Sequence, residues 1–353
     1  MAGPEEMEEG EVRGPAEGRL FIVGGGEMAH LVPSFLTLGG GPSRCSLVIV
    51  PTAHDDETLA QEGIERLLAQ PWMDGGLPAA SISMLHTRDR TQADDEAFTA
   101  ALGEASAVWF DGGRQWRYID AYKGTRVEQE LRAVLQRGGV VGGSSAGATV
   151  LGSFLTRGDT ASNQLMVGDH MEGLGLLSNV AIDQHLLRRN RQFDLLEVLE
   201  AQPSLLGLGI DEGTALVVGA ERADVIGSSY VAVYNSAQFW EAQGEEAATR
   251  DGEERPPFFL MHPGQALDLV TRLPVGGENA DEIEPQLMSA ILSEPVLVEA
   301  MRSAGAQMFV RQLQSEPQRT IEAYREQEGA MALLKALSAA IERQASAEGG
   351  PRL

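Results

Sequence analysis

The chain has 353 residues, with 27 basic and 52 acidic side chains and a formal net charge of −25. That balance argues against nucleic acid and anionic membrane surfaces as partners, since phosphate binding rests on basic patches, and it leaves room for cationic ligands. A single cysteine, Cys45, excludes an internal disulfide, and no apolar run approaches membrane-spanning length.

Residues 1–18, MAGPEEMEEGEVRGPAEG, are acidic and rich in Gly and Pro. They lack the basic and apolar regions of a secretory signal and read as a disordered tail, so a cytoplasmic protein is expected. From Arg19 onward short β-branched runs recur: RLFIVGGGE, SLVIVPTA, SISMLHT, AVWFDGG and GVVGGSS. Each reads as a buried strand. Helical stretches such as DETLAQEGIERLLAQ and VEQELRAVLQRG separate several of them. Strands alternating with helices predict an α/β fold, a mostly parallel sheet flanked by helices, with ligands at the carboxyl ends of the strands. Cys45, beside the run Leu47 to Val50, is expected to be a buried small residue.

Further on, NVAIDQH reads as another strand, and LGLGIDEGTALVVG and ADVIGSSYVAVYN as strands joined by tight turns that add antiparallel pairs. The α/β domain is expected to span 19–276. Beyond it, EPQLMSAILSEPVLVEAMRSAGAQMFVRQL and AMALLKALSAAIERQ are helical in pattern, with Met331, Leu334, Leu337 and Ile341 on one face. Pro285, Pro295 and Pro317 divide this extension, residues 277–353, which is expected to pack on the domain or on a second copy in a homodimer.

The chemistry concentrates in VVGGSSAGATVLGS, residues 140–153. Gly143-Ser144-Ser145-Ala146-Gly147 fits G-x-S-x-G between an apolar strand and a helix-compatible run, the context of a nucleophile elbow with Ser145 as nucleophile. Taken alone, the pentapeptide is equally compatible with a Gly-rich turn that packs helix on sheet or cradles a phosphate. A serine nucleophile needs a base. Of six histidines, His185 closes a strand and is crowded by Asp183, Gln184, Arg189 and Arg191. Asp159, Glu172, Asp183 and Glu212 are candidates for the group that orients the imidazole, and Asp159 best suits the chain order Ser, Asp, His. An oxyanion hole would take one N–H from Ala146 and one from the loop FDGGRQ, at Gly113. Gln115 in the same loop suits a substrate carbonyl or amide. No H-E-x-x-H or paired-Cys pattern occurs, and His185 has no second histidine at ligand spacing, so no metal and no cofactor are expected.

Together, FDGGRQ, GGSSAGA, DQHLLRRNR and GLGIDEGTALVV resemble cyanophycinase and its relatives, the serine peptidase family that also contains the aspartyl dipeptidase peptidase E. The resemblance spans roughly residues 19 to 235. It implies a fold like class I glutamine amidotransferases (flavodoxin-like), with Ser rather than Cys at the elbow. It places the family's serine on Ser145, its histidine on His185 and its acid, about fifteen residues after the serine, on Asp159. The cyanophycinase substrate-binding positions fall on Gln115, Asp183, Gln184, Arg189 and Arg191. The implied substrate is peptide-like: cyanophycin, a poly-aspartate with arginine on each β-carboxyl, cut to β-Asp-Arg. A small-peptide (iso)aspartyl dipeptidase and a non-catalytic ligand-binding relative are the alternatives. Chemically, Arg189 and Arg191 suit substrate carboxylates, and Asp211 and Glu212 suit substrate guanidinium groups. Where cyanophycinase carries a further arginine, this chain has Asp194, which sets polymer specificity in doubt more than hydrolysis.

Overall fold

The computed structural model describes residues 11–235, 249–250, 253–254 and 257–275. The helical extension expected at 277–353 lies outside the described residues. Among the described residues fifteen strands follow in chain order: β1 Arg19–Val23, β2 Leu47–Val50, β3 Ile82–Met84, β4 Ala107–Phe110, β5 Val140–Ser144, β6 Val180–Gln184, β7 Leu206–Ile210, β8 Thr214–Val218, β9 Arg222–Gly227, β10 Val231–Tyr234, β11 Thr249–Arg250, β12 Glu253–Glu254, β13 Phe259–Met261, β14 Ala266–Asp268 and β15 Pro274–Val275.

Nine strands form one sheet in the order β15-β14-β9-β8-β1-β5-β4-β2-β3. The five from β1 to β3 in that order are parallel; β8, β9, β14 and β15 extend it antiparallel. A second sheet runs β13-β10-β7-β6, with β6 and β7 parallel. β11 and β12 pair only with each other. The fold is thus α/β, with a parallel centre flanked by helices.

Side chains alternate across each parallel strand, as a two-residue period requires. Leu20, Ile22, Val48, Val50, Val108 and Phe110 join one core cluster, under the helices Trp116–Tyr122 and Arg126–Gln136. Phe21, Val23, Leu47, Ile49 and Trp109 join the other, under Val32–Leu38 and Ile64–Asp74. There the Trp109 ring lies 5.2 Å from Phe35 and 4.9 Å from Trp72, edge to face in both cases. Burial on both faces explains why these strands read as continuous apolar runs. β3 is the exception: it is an edge strand, only partly buried. Cys45 is buried, as its setting suggested.

Three local expectations change. The stretch DETLAQEGIERLLAQ forms two helices, Asp56–Leu59 and Ile64–Asp74, because Gly63 takes φ 79° between them. The turns after β7 and β9 exist, but each carries the chain from one sheet to the other. The antiparallel neighbours are therefore β8 with β9 and β7 with β10. Finally, the segment read as a disordered tail is anchored from residue 11. Val12 is 2% exposed in the core, Arg13 N donates to Ser178 Oγ and Gly14 N to Ala220 O. One apolar side chain in a polar stretch and the backbone hydrogen bonds beside it supply that anchor. Among the described residues no helix is long and apolar enough to cross a membrane.

Candidate active site

Ser145 stands between β5 and the short helix Ala146–Thr149 with φ 57° and ψ −113°, a conformation L-residues rarely adopt. Its glycine neighbours are explained by contact. A Cβ on Gly143 would lie 2.3 Å from Gly147 O, and one on Gly147 would lie 2.1 Å from Phe110 O. Strand and helix backbones therefore touch, and the serine side chain is lifted at the crest of the turn.

Ser145 Oγ lies 2.8 Å from His185 Nε2, and His185 Nδ1 lies 2.6 Å from Glu212 Oε1. A neutral ring protonated on Nδ1 satisfies both bonds: Nδ1–H donates to Glu212 and Nε2 accepts the serine hydroxyl. The three residues come from three different places: the end of β5, the end of β6 in the second sheet, and the turn between β7 and β8. Three successive carbonyls at the exit of β1 gather them. Val23 O accepts from Ser145 N (3.1 Å), Gly24 O from His185 N (2.8 Å) and Gly25 O from Gly213 N (2.9 Å). His185 is itself strained, at φ 55°. The imidazole rests on Gly25, where a Cβ would come within 2.2 Å of Cε1, and the Glu212 side chain packs on Gly26.

His185 is 7% exposed. Burial, chiefly, and then the Arg189 charge hold its pKa below the ordinary value, against the opposing pull of Glu212. The ring is therefore neutral at pH 7, able to accept a proton. Gly112 lies against Ser145, a Cβ there being 3.6 Å from the serine Cβ. The N–H groups of Ala146 and Gly113 donate to no backbone carbonyl among the described residues.

All of this geometry falls within residues 20–226, which match the family model of peptidase family S51. The chain belongs to peptidase family S51. It is accordingly a serine-type peptidase, a hydrolase of peptide-like substrates. The chain is 29% identical over 239 residues to the cyanophycinase of Geminocystis herdmanii, covering 65% of this chain and 85% of that one. It is 30% identical over 206 residues to the cyanophycinase of Trichormus variabilis, covering 56% and 66%. The crystal structure of a peptidase from an acI-B1 Actinobacterium shares the fold, with a TM-score of 0.51 at 23% identity over 72% of this chain and 98% of that one.

Several side chains expected at the site of this S51 peptidase have other partners. Asp159, expected to orient the imidazole, does not meet His185. Its Oδ1 accepts the backbone N–H groups of Ala161 and Ser162, closing its own turn, while its carbonyl accepts from Arg114. Glu212, expected both as a candidate for that role and as a partner for a substrate guanidinium, is the carboxylate that meets His185 Nδ1. Asp183, expected to bind substrate, is fully buried and gripped by Arg157, Nε to Oδ1 and Nη2 to Oδ2, both at 2.8 Å. Burial would raise the Asp183 pKa, but Arg157 brings it below the ordinary value. Arg191, 1% exposed, donates through Nη1 to the carbonyl and Oε1 of Gln184, and burial pushes its pKa down to about 10. Gln115 is buried and donates to Thr156 O. Asp211 accepts from Arg188 N and Ser229 Oγ. Of the expected substrate-binding set, only Arg189 is an exposed side chain beside His185.

Arg157 was not singled out from the sequence, yet it explains Asp194. Its Nη2 donates to Asp194 Oδ2 at 2.6 Å while it chelates Asp183, so the reversed charge at Asp194 is answered by a guanidinium from the β5–β6 crossover. Gly25 and Gly26 were likewise read only as the end of a strand. Their signal was three consecutive glycines where one suffices for a turn.

Proposed function

We propose that Ser145, His185 and Glu212 perform acyl transfer in this peptidase, and that its substrate is cyanophycin, cut to β-Asp-Arg. The observation that carries the reading is the continuous pair of hydrogen bonds from the elbow serine through the imidazole to Glu212. Ser145 Oγ attacks the scissile carbonyl carbon as its proton passes to His185 Nε2. The N–H groups of Ala146 and Gly113 receive the oxyanion. Glu212 holds the imidazolium, which then gives its proton to the leaving amine, and water, activated by the same ring, releases the acyl group. Cyanophycin as substrate draws on the two cyanophycinases above and on the exposed cation Arg189, which suits a substrate carboxylate.

A second reading, a small-peptide aspartyl dipeptidase, draws on Asp183 and Arg191 being internally engaged, which removes two of the anchors expected for the polymer. The test is incubation of the protein with purified cyanophycin and, separately, with Asp-X dipeptides, reading products by mass spectrometry. Release of β-Asp-Arg is expected; cleavage of dipeptides alone would select the second reading. Cleavage of neither, with no labelling of Ser145 by a serine-directed acylating probe, would overturn both.

The pH profile follows from the His185 environment. Since its protonated form is the inactive one and its pKa lies below the ordinary value, the acid limb of kcat/KM should be centred below pH 6.5. An acid limb centred above 6.5 would contradict the assignment.

A further inference from the structure

We propose that a cleft linked to the candidate nucleophile through the loop after β4 binds the zwitterionic aspartyl-arginine unit of the substrate, an inference that rests on the cyanophycin reading above. The cleft has a volume of about 450 Å³ and is lined by Asp55, Asp56, Arg88, Trp116, Arg117 and Asp120, within the range of small-molecule sites. It lies at the carboxyl ends of the parallel strands, between the loops that follow β2, β3 and β4. The β4 loop links it to the reacting centre. Gly112 lies against Ser145, Gly113 packs on Ala53, and Ala53 O accepts from both Arg114 N and Arg117 Nη1, two residues before Asp55.

The charges in the cleft divide by what already occupies them. Arg88 is committed to Asp56, through Nε and Nη2 at 3.0 Å, and to the His54 carbonyl. Those two charges cancel. Asp55 is hydrogen-bonded within its own turn, its Oδ1 accepting from Thr58 N. Asp120 accepts from His170 Nε2 through one oxygen, Oδ1, and its side chain is 54% exposed. Arg117 spends one nitrogen on Ala53 O and lies 5.4 Å over the Trp116 ring. The indole Nε1–H of Trp116 is enclosed and without a partner.

Apart from the Arg88–Asp56 pair, the cleft is therefore lined by two carboxylates, one guanidinium and one indole. Each unit of the polymer presents a guanidinium and a carboxylate on the arginine attached to the backbone. The guanidinium matches Asp55 and Asp120, while the carboxylate matches Arg117. A substrate bearing only one sign of charge would leave half of this lining unpaired.

The test compares kcat and KM on cyanophycin for the parent, Asp55→Asn, Asp120→Asn and the double variant. Asn ranks with Asp as a helix N-cap, so Asp55→Asn removes the charge and keeps the cap of the helix Asp56–Leu59. Asn at 120 retains an acceptor for His170. The double variant is expected to raise KM about tenfold, each single variant about threefold, with the loss falling on KM rather than kcat. Thermal unfolding of each variant within a few degrees of the parent confirms that the fold is kept. A KM within twofold of the parent in the double variant, or a loss confined to kcat, overturns the subsite while leaving the cyanophycin reading intact. Absence of β-Asp-Arg release by the parent overturns that reading and the subsite with it.

Discussion

Ser145→Ala is expected to lower kcat on cyanophycin by about 10⁶-fold and Glu212→Gln by about 10⁴-fold, while Asp159→Asn stays within about threefold of the parent. The serine figure follows from removing the only atom that bonds the acyl carbon, leaving oxyanion donors and binding to act alone. Glu212 acts at one remove. Its 2.6 Å bond to Nδ1 holds the ring in the tautomer whose Nε2 can accept the serine proton. Glutamine keeps the shape but offers an amide that can donate to Nδ1, which favours the wrong tautomer. It also removes the charge that steadies the imidazolium. Because Glu212 raises the His185 pKa, its loss should move the acid limb of the pH profile still lower. The two effects act through one unit, so the double variant Ser145→Ala, Glu212→Gln should be no slower than about twofold below Ser145→Ala alone. Asp159 closes a turn through backbone N–H groups that asparagine's carbonyl oxygen can still receive. Product release timed by mass spectrometry on folded protein checks all four. A large loss at Asp159 beside a small one at Glu212 would return the orienting role to Asp159.

The reason the sequence ranks Asp159 above Glu212 among the candidates for that group lies in the topology. Chain order favoured an acid between serine and histidine, and the spacing of the family resemblance pointed to the same position. Both arguments are one-dimensional. Glu212 reaches His185 because the turn after β7 leaves the second sheet and enters the first, where β8 pairs with β1 and Gly213 N meets Gly25 O. A turn between two apolar runs reads as a hairpin, and nothing in LGLGIDEGTALVV marks it as a change of sheet. The parts set by local physics were legible. β-Branched runs mark strands buried on both faces, and G-x-S-x-G after such a run marks an elbow whose small residues are demanded by backbone contact. His185 was legible for a related reason, since a polar cluster closing an apolar strand must face something other than core. The partners of Asp183 and Arg191 were not, because a charged residue at a strand end looks the same whether it meets a substrate or a buried Arg157.

Gly25→Ala is expected to lower kcat/KM by at least about 10³-fold while the protein stays folded, the loss seen when a geometrically coupled catalytic unit is broken. The added methyl carbon would lie 2.2 Å from Cε1, 2.6 Å from Nδ1 and 2.8 Å from Nε2 of His185. Real contacts of that kind do not occur, so one side must move. The backbone of Gly25 is tied to Gly213 N through its carbonyl and continues from a strand paired on both edges. The imidazole is a side chain held by packing and its two ring hydrogen bonds rather than by a sheet ladder, so the ring is what moves. Swinging it lengthens the bonds to Ser145 and Glu212 together. Gly25 also has φ 117°, where any side chain adds backbone strain of about 1–2 kcal/mol. Gly41→Ala separates the two effects. Gly41 sits at φ 82° with nothing within 4 Å of its Cβ position, so it should show the strain as lower thermal stability with activity retained. If Gly25→Ala behaves like Gly41→Ala, losing stability but keeping its labelling by a serine-directed probe, then the imidazole does not depend on the exit of β1 for its position, and the three-carbonyl account of how this site is assembled fails.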